Sequence, residues 1–281
     1  MDIHGLVNMS ELEVLRNIKV ADVMLKDVPI VSKDDTLPHV VKIMDKYDID
    51  RVVIVKNHKL LGIATRKDII IKLGTARTST ISSGRLHISS FMTPNPITIQ
   101  PKESIVNAAK LMIEKNISSL PVIEDGKIVG LLTKWNLLES LKESEIKLKE
   151  LMRTIPILLK TSDRVIHARR IMLDYDVELL PVLNEMNKVV GTVSIDEIAY
   201  ALFQLHELVP VRYRKERIMN LLLEDVMRLN PPLYTPSSIL GEAVKEMIDR
   251  RIRGVIVLDE VEEKPLGMVT LTDITRYIAT L

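Results

Sequence analysis

One motif occurs four times in this chain: a glycine, a hydroxyl residue three positions later, and an acidic or amide residue six positions later. The four copies are GIATRKD at 62–68, GLLTKWN at 130–136, GTVSIDE at 191–197 and GMVTLTD at 267–273. A methionine precedes each glycine by 38 to 40 residues, and these methionines are Met24, Met92, Met152 and Met227. Because the spacing is nearly constant, the chain must be built from four similar structural repeats.

Two further sets of residues recur in register with this motif. Each copy has a second methionine, at Met44, Met112, Met172 and Met247. A proline follows each first methionine, at Pro29, Pro96, Pro156 and Pro231. Eight of the thirteen methionines thus occupy equivalent positions, and we interpret them as residues that fill gaps in an apolar core.

Hydrophobic periodicity assigns the elements of one repeat. In the first copy, a short strand precedes a helix with Thr36 as its N-cap and with apolar residues at helical spacing, which are Leu37, Val41, Met44 and Tyr47. Two apolar runs then form a hairpin with its turn at Asn57 and His58. In the second copy the turn is Asp125-Gly126, a strong hairpin signal. A helix starts after the hydroxyl residue, so the predicted order is β-α-β-β-α.

Composition excludes several classes of function. The 281 residues contain no cysteine, which rules out disulfides, thiolate catalysis and zinc sites built on cysteine. The net charge of +1 argues against bulk attraction to nucleic acid or an anionic membrane. No apolar run approaches the ~18 residues that span a bilayer, and no secretory signal is visible, so we expect a cytoplasmic protein. Because no nucleotide-hydrolase, dinucleotide, zinc-protease or serine-hydrolase motif occurs, we expect neither an enzyme nor a metal site.

The closing G-x-x-T-x-x-D motif, the DVM at 22–24 and the LPV at 120–122 and 180–182 together resemble the CBS domain. The resemblance covers nearly the whole chain and implies an α/β (α+β) fold, in which four β-α-β-β-α repeats pack as two pseudo-twofold pairs. It implies two tandem Bateman modules, similar in layout to the gamma subunit of AMP-activated protein kinase. The first module is expected at 1–145, with repeats 1 and 2 at about 18–74 and 87–143. The second is expected at 146–281, with repeats 3 and 4 at about 146–205 and 222–280.

The resemblance also implies a ligand. Members of this family bind adenosine-containing compounds between paired repeats and regulate another protein, so the implied ligand is AMP, ADP, ATP or S-adenosylmethionine rather than a catalytic cofactor. By the same resemblance, Asp68 and Asp273 would accept hydrogen bonds from ribose, with Thr65 and Thr270 beside them. In repeat 2 the matching residues are Thr133 and Asn136, and an amide makes that site weaker.

Phosphate groups require cations, and the repeats differ in what they offer. Repeat 1 has Arg51 before its central strand and Lys67 at the start of its last helix, whereas repeat 4 has Arg253. Repeat 2 has Ser118, and repeat 3 has the acidic Glu178, which would repel phosphate. We therefore expect a nucleotide at repeat 1 or repeat 4 and little at repeat 3.

Two other interpretations compete with these. A hydroxyl residue followed three positions later by an acid is also a capping box, which requires no ligand and which we favour for Ser194 and Glu197 in repeat 3. The basic linker RYRKER at 212–217 would suit phosphate contacts and offers an alternative function in association with nucleic acid. We also expect a homodimer, because each module should leave an apolar helical face for another module.

Overall fold

The structure is a computed structural model that describes residues 9–47, 49–57, 59–73, 83–155 and 157–281. Two helices, α1 (Met9–Asn17) and α2 (Val20–Val23), precede the first strand of repeat 1. Repeat 1 then has the predicted order, with β1 (Ile30–Ser32), α3 (Leu37–Lys46), β2 (Arg51–Lys56), β3 (Lys59–Thr65) and α4 (Arg66–Leu73). His58, on which a predicted turn falls, and residues 74–82 lie outside the described residues.

Repeats 3 and 4 follow the same order after one additional edge strand each, and in repeat 2 a bridge between Ile99 and Val122 stands in place of the first strand. Repeat 2 contains β4 (Thr93–Pro94), α5 (Ile105–Glu114), β5 (Ser119–Glu124), β6 (Lys127–Thr133) and α6 (Lys134–Leu138). Repeat 3 contains β7 (Arg153–Thr154), β8 (Leu159–Lys160), α7 (Val165–Asp174), β9 (Leu179–Leu183), β10 (Val189–Ser194) and α8 (Ile195–Leu208). After α9 (Val211–Asn220), repeat 4 contains β11 (Arg228–Leu229), β12 (Leu233–Tyr234), α10 (Leu240–Asp249), β13 (Gly254–Leu258), β14 (Pro265–Thr270) and α11 (Leu271–Thr280). The predicted fold of four β-α-β-β-α repeats is confirmed.

Local sequence explains most of these elements and corrects two details. The hairpin of repeat 2 turns at Asp125 and Gly126, which both have positive φ, as a two-residue hairpin turn requires. Thr36 is the N-cap of α3, but its side chain makes no cap hydrogen bond, and the second helical residue, Pro38, has no N–H to donate to it. The prediction that Tyr47 faces the core is wrong: it lies just after α3 and is 57% exposed.

Among the described residues, the sheets of repeats 1, 3 and 4 each receive an edge strand from a different repeat, and the sheet of repeat 2 receives a single bridging residue. In repeat 1, β1 runs parallel to β2, β2 is antiparallel to β3, and β3 pairs with β4, which lies on the segment leading into repeat 2. Repeat 2 is joined in return by Leu25, on the segment leading into repeat 1, which bridges to Leu131. Strand β11 likewise joins repeat 3, and β7 joins repeat 4. Repeats 1 and 2 thus exchange edge segments, as do repeats 3 and 4.

The chain forms two compact units. Unit 1 contains the described residues up to Val28 together with Ile97–Ile155 and Pro232–Leu281, and so holds repeats 2 and 4. Unit 2 contains Pro29–Pro96 and Pro156–Pro231, and so holds repeats 1 and 3. These units combine repeats from both expected modules. The expected division into modules at 1–145 and 146–281 stays a prediction. Each boundary between the units lies next to one of the repeated prolines.

Each unit has an apolar core of its own. In unit 1, α11 packs on α5 and α6, and in unit 2, α4 packs on α8. The second methionine of every repeat is at most 1% exposed, which confirms that these residues fill the core, and the four are Met44, Met112, Met172 and Met247. Within the described residues, no helix is both long enough and apolar enough to cross a membrane.

Candidate functional site

All four strand-to-helix junctions form the same local structure. The acidic or amide side chain accepts a hydrogen bond from the backbone N–H of the hydroxyl residue three positions earlier. The pairs are Thr65 N–Asp68 Oδ2 (2.7 Å), Thr133 N–Asn136 Oδ1 (2.9 Å), Ser194 N–Glu197 Oε2 (2.8 Å) and Thr270 N–Asp273 Oδ2 (2.9 Å). The capping interpretation therefore applies to every repeat. The cap uses only one oxygen of each carboxylate, so the repeats differ in what contacts the second oxygen.

In repeat 1, only one carboxylate oxygen of Asp68 takes part in the cap. Oδ2 accepts hydrogen bonds from the backbone N–H and the hydroxyl group of Thr65, both at 2.7 Å. Among the residues that the structure describes, no hydrogen-bond donor or cation contacts Oδ1 of Asp68. The neighbouring Lys67 forms an ion pair with Asp176 of repeat 3. A half-buried carboxylate oxygen therefore stands at the start of α4, where backbone N–H groups and the helix dipole also favour phosphate.

Arg51 is placed differently from what the sequence suggests for a phosphate ligand. It lies opposite Thr65 in the pairing of β2 and β3, so it is close to the start of α4. Its side chain is only 3% exposed and is engaged with Asp50, through Nε–Oδ1 (2.7 Å) and Nη2–Oδ2 (2.6 Å). A phosphate group would have to compete with this bidentate carboxylate for Arg51.

In repeat 4, both oxygens of Asp273 are occupied. Oδ2 caps α11, whereas Oδ1 lies 3.1 Å from Arg153 Nε and 3.1 Å from Arg276 Nη1. The side chain of Asp273 is 1% exposed. Arg253 is buried too, and its carbonyl oxygen accepts a hydrogen bond from the N–H of Leu271. The carboxylate of repeat 4 is therefore closed by two arginines.

In repeats 2 and 3, the equivalent residues are also in internal contacts. Ser118 accepts the N–H of Lys134 through its carbonyl oxygen, and the ammonium group of Lys134 donates to Thr272 Oγ1 of repeat 4 (2.9 Å). Glu178 is buried in repeat 3. Glu197 completes its capping box and lies 3.4 Å, through Oε1, from Arg228 Nη2.

The candidate residues fall into two groups, one in each compact unit. Unit 2 holds the set from repeat 1, which is Arg51, Thr65, Lys67 and Asp68. Unit 1 holds the sets from repeats 2 and 4, which are Ser118, Thr133, Asn136, Arg253, Thr270 and Asp273. Sequence reasoning missed Arg153 and Arg228, although both carry a signal, since each directly follows the first methionine of its repeat.

The far end of α4 is held by repeat 3. Arg169 donates from Nε to the carbonyl oxygen of Ile70 (2.6 Å) and from Nη2 to that of Ile71 (2.7 Å). Nε2 of His206 lies 3.2 Å from the carbonyl oxygen of Leu73. Burial, with the nearby Arg214 guanidinium acting in the same direction, lowers the pKa of His206 to about 4. His206 is therefore neutral at pH 7 and donates to the end of α4.

Among the described residues, no group of three or more His, Cys, Asp or Glu side chains could hold a metal ion. The candidate residues themselves form hydrogen bonds and ion pairs. The strand-to-helix junction of repeat 1 combines a carboxylate oxygen, helix N–H groups and a lysine within one turn of helix, which suits a ligand with hydroxyl and anionic groups.

Comparison with known proteins identifies the family. The CBS-domain family model matches residues 20–74, 88–143, 148–204 and 223–280, within two residues of the repeats expected from the sequence. A CBS domain-containing protein from Dictyostelium discoideum is 33% identical over 132 residues, which are 44% of this chain and 91% of that protein. L-aspartate semialdehyde sulfurtransferase from Methanocaldococcus jannaschii is 30% identical over 128 residues, which are 45% of this chain. The chain spans about a quarter of the length of that and other enzymes among its curated relatives.

A solved structure extends the similarity to the whole architecture. Protein MJ1225 from Methanocaldococcus jannaschii, described as an archaeal homolog of the gamma subunit of AMP-activated protein kinase, superposes with a TM-score of 0.80 at 19% identity. The match covers 93% of this chain and all of MJ1225, so the two share a fold. With four matched repeats and this shared fold, the chain belongs to the CBS-domain family.

Proposed function

We propose that this chain is a regulatory protein that binds an adenosine-containing ligand at repeat 1 and alters a partner protein in response. The observation that carries the proposal is the state of Asp68, whose Oδ1 no donor or cation contacts among the described residues. A ribose has two adjacent hydroxyl groups that can both donate to a carboxylate. AMP, ADP, ATP and S-adenosylmethionine share this ribose, and all four fit the proposal.

The geometry favours repeat 1 over repeat 4. A ribose at Asp273 would have to displace two arginines from a carboxylate that is 1% exposed. Breaking such an ion pair leaves charges that are no longer compensated, which is costly in a buried place. The amide of Asn136 offers repeat 2 no charged acceptor, and Glu197 of repeat 3 already pairs with Arg228.

The contacts of α4 offer a route from ligand to regulation. At its start, Lys67 is held by Asp176 of repeat 3, and at its end two carbonyl oxygens are held by Arg169. A phosphate at the start of α4 would compete with Asp176 for Lys67. A ligand can shift an arrangement only if it prefers one arrangement over another, and this competition provides such a preference.

A matched pair of variants tests the proposal. Asn136 shows that an asparagine can complete the same capping box, so Asp68→Asn should keep α4 intact while removing the charged acceptor. Calorimetric titration with AMP and with ATP should show binding to the natural protein and a loss of about tenfold to a hundredfold in Asp68→Asn, the range of about 1.5–3 kcal/mol for a hydrogen bond to a charged group. Equal affinity in both proteins would contradict the assignment of Asp68.

The homodimer and the nucleic-acid alternative remain separate predictions. Light scattering should give twice the 31.9 kDa of one chain, whereas the mass of one chain at every concentration would contradict a dimer.

The basic segment 212–217 lies in helix α9, where Arg214 is buried against the carbonyl oxygen of His206 (2.8 Å). This burial leaves Arg212, Lys215 and Arg217 as the exposed cations there, which weakens the alternative. Salt-dependent retardation of DNA or RNA in a mobility assay would support it.

A further inference from the structure

The four exchanged edge segments place one residue at an equivalent position beside each junction. This edge residue directly follows the first methionine of its repeat. It pairs with the residue that lies five positions before the capping acid or amide. The pairs are Thr93 with Ile63, Arg153 with Met268, Arg228 with Thr192, and Leu25 with Leu131. The edge residue therefore comes from a different repeat than the acid or amide that it accompanies.

In repeats 3 and 4, this edge residue is an arginine that engages the carboxylate. Arg153 Nε lies 3.1 Å from Asp273 Oδ1, and Arg228 Nη2 lies 3.4 Å from Glu197 Oε1. In both cases the arginine contacts the oxygen that the capping box leaves over. The capping box and the arginine together engage both oxygens of the carboxylate.

In repeats 1 and 2, the edge residue is uncharged. Repeat 2 combines Leu25 with the neutral Asn136, so no charge needs a partner there. Repeat 1 combines Thr93 with Asp68, and Thr93 is exposed. Asp68 is thus the one acid of the four junctions that no cation contacts among the described residues.

We infer that the edge residue decides which junction can receive a ribose: an arginine closes the carboxylate, and Thr93 leaves Asp68 open. This inference rests on the proposed function, in which Asp68 binds ribose. Its physical basis is competition for one oxygen atom, because the positive charge of an arginine within 4 Å attracts a carboxylate more strongly than a neutral hydroxyl group does. Within the part of the chain that the structure describes, the open carboxylate is accordingly that of repeat 1.

A closing variant tests this inference directly. Thr93→Arg should pair with Asp68 and weaken binding of both adenosine and AMP by at least about tenfold. Adenosine lacks the phosphate to which a new arginine could be attracted, so it isolates the effect on ribose. The control is Thr93→Met, a side chain of similar length without charge, which should change affinity by less than about threefold. Because Thr93 is exposed, both variants should fold, and thermal unfolding verifies this.

The outcomes separate this inference from the proposed function. If Asp68→Asn loses binding while Thr93→Arg binds like the natural protein, the function stands and the role of residue 93 is wrong. Equal losses in Thr93→Arg and Thr93→Met would show a steric effect and overturn the competition of charges. If Asp68→Asn binds normally, the proposed function itself fails.

An opening variant provides an independent measurement. In an Asp68→Asn background, replacing Arg153 by Thr and Arg276 by Ala should free Oδ1 of Asp273 and restore adenosine binding at repeat 4. A further Asp273→Asn substitution should abolish the restored binding. A folded opening variant that binds no adenosine would contradict the inference, and if this variant does not fold, the closing variant decides alone.

Discussion

Met92 lies directly against the backbone of Gly62. A Cβ atom on Gly62 would lie 2.8 Å from Sδ of Met92 and 2.9 Å from the carbonyl oxygen of Thr93. Gly191 has the same relationship with Met227, and Gly130 has it with Met24. The glycine and the methionine that recur in the sequence are thus two sides of one contact, in which the edge segment from a different repeat approaches the sheet. This contact places the residue after the methionine beside the strand that leads to the capping acid.

Gly62→Ala should lower the stability of the chain. The added methyl group meets a backbone oxygen that cannot move without shifting β4, and overpacking of this kind costs about 1–3 kcal/mol. The midpoint of thermal unfolding should fall by several degrees, measured by circular dichroism. Gly84→Ala is the control, because nothing lies within 4 Å of a Cβ atom there. Equal unfolding midpoints in the two variants would contradict the proposed contact.

Glu197→Ala should affect stability and not ligand binding. It removes the capping box of α8, and the loss of an N-terminal cap costs about 1 kcal/mol. Glu197→Gln keeps an acceptor for the N–H of Ser194 and should lose less. Chemical unfolding measures the stability, and titration with AMP should give the natural affinity for both variants. A loss of AMP binding in Glu197→Ala would place the ligand at repeat 3 instead.

Lys67→Met should weaken the binding of AMP more than that of adenosine. The substitution removes the cation beside Asp68 but keeps most of the apolar side chain, so a ligand without phosphate should be little affected. We expect a loss of about three- to tenfold for AMP, by comparison of calorimetric titrations with the two ligands. Equal losses for both ligands would indicate that Lys67 positions α4 through Asp176 rather than contacting phosphate.

His206 should make stability depend on pH below neutrality. Its pKa is about 4 in the folded chain and about 6.5 in the unfolded chain, so the unfolded chain binds more protons between these values. The contribution is fully present above pH 6.5 and is lost as the pH falls towards 4, by up to about 3 kcal/mol. Burial is the main cause of this lowered pKa, Arg214 lowers it as well, and the carbonyl oxygen of Leu73 and Glu207 act against them.

The difference in free energy of unfolding between the natural protein and His206→Gln isolates this contribution. The other titratable groups are present in both proteins, so their effects cancel. Unfolding by urea at pH 7, 6, 5 and 4.5 should show that the natural protein loses more stability on acidification than the variant does. Parallel curves for the two proteins would exclude His206 as the titrating group.

The sequence by itself determined the four repeats, their order of elements and the capping residues. These features depend on short-range spacing, such as Thr65 with Asp68 across one helical turn, and local hydrogen bonding needs no distant partner. The same holds for the turn at Asp125 and Gly126, whose positive φ follows from the residue types.

Only the tertiary structure decided which carboxylate is open. Asp68 and Asp273 stand in the same motif, yet Arg153 closes Asp273 from a strand 120 positions earlier in the chain. Likewise, the sequence position of Arg51 suits a residue that binds phosphate, but in the folded chain its side chain is buried in an ion pair with Asp50. A local pattern fixes where an ionisable group stands along the chain, whereas its availability depends on which charges the fold brings within about 4 Å.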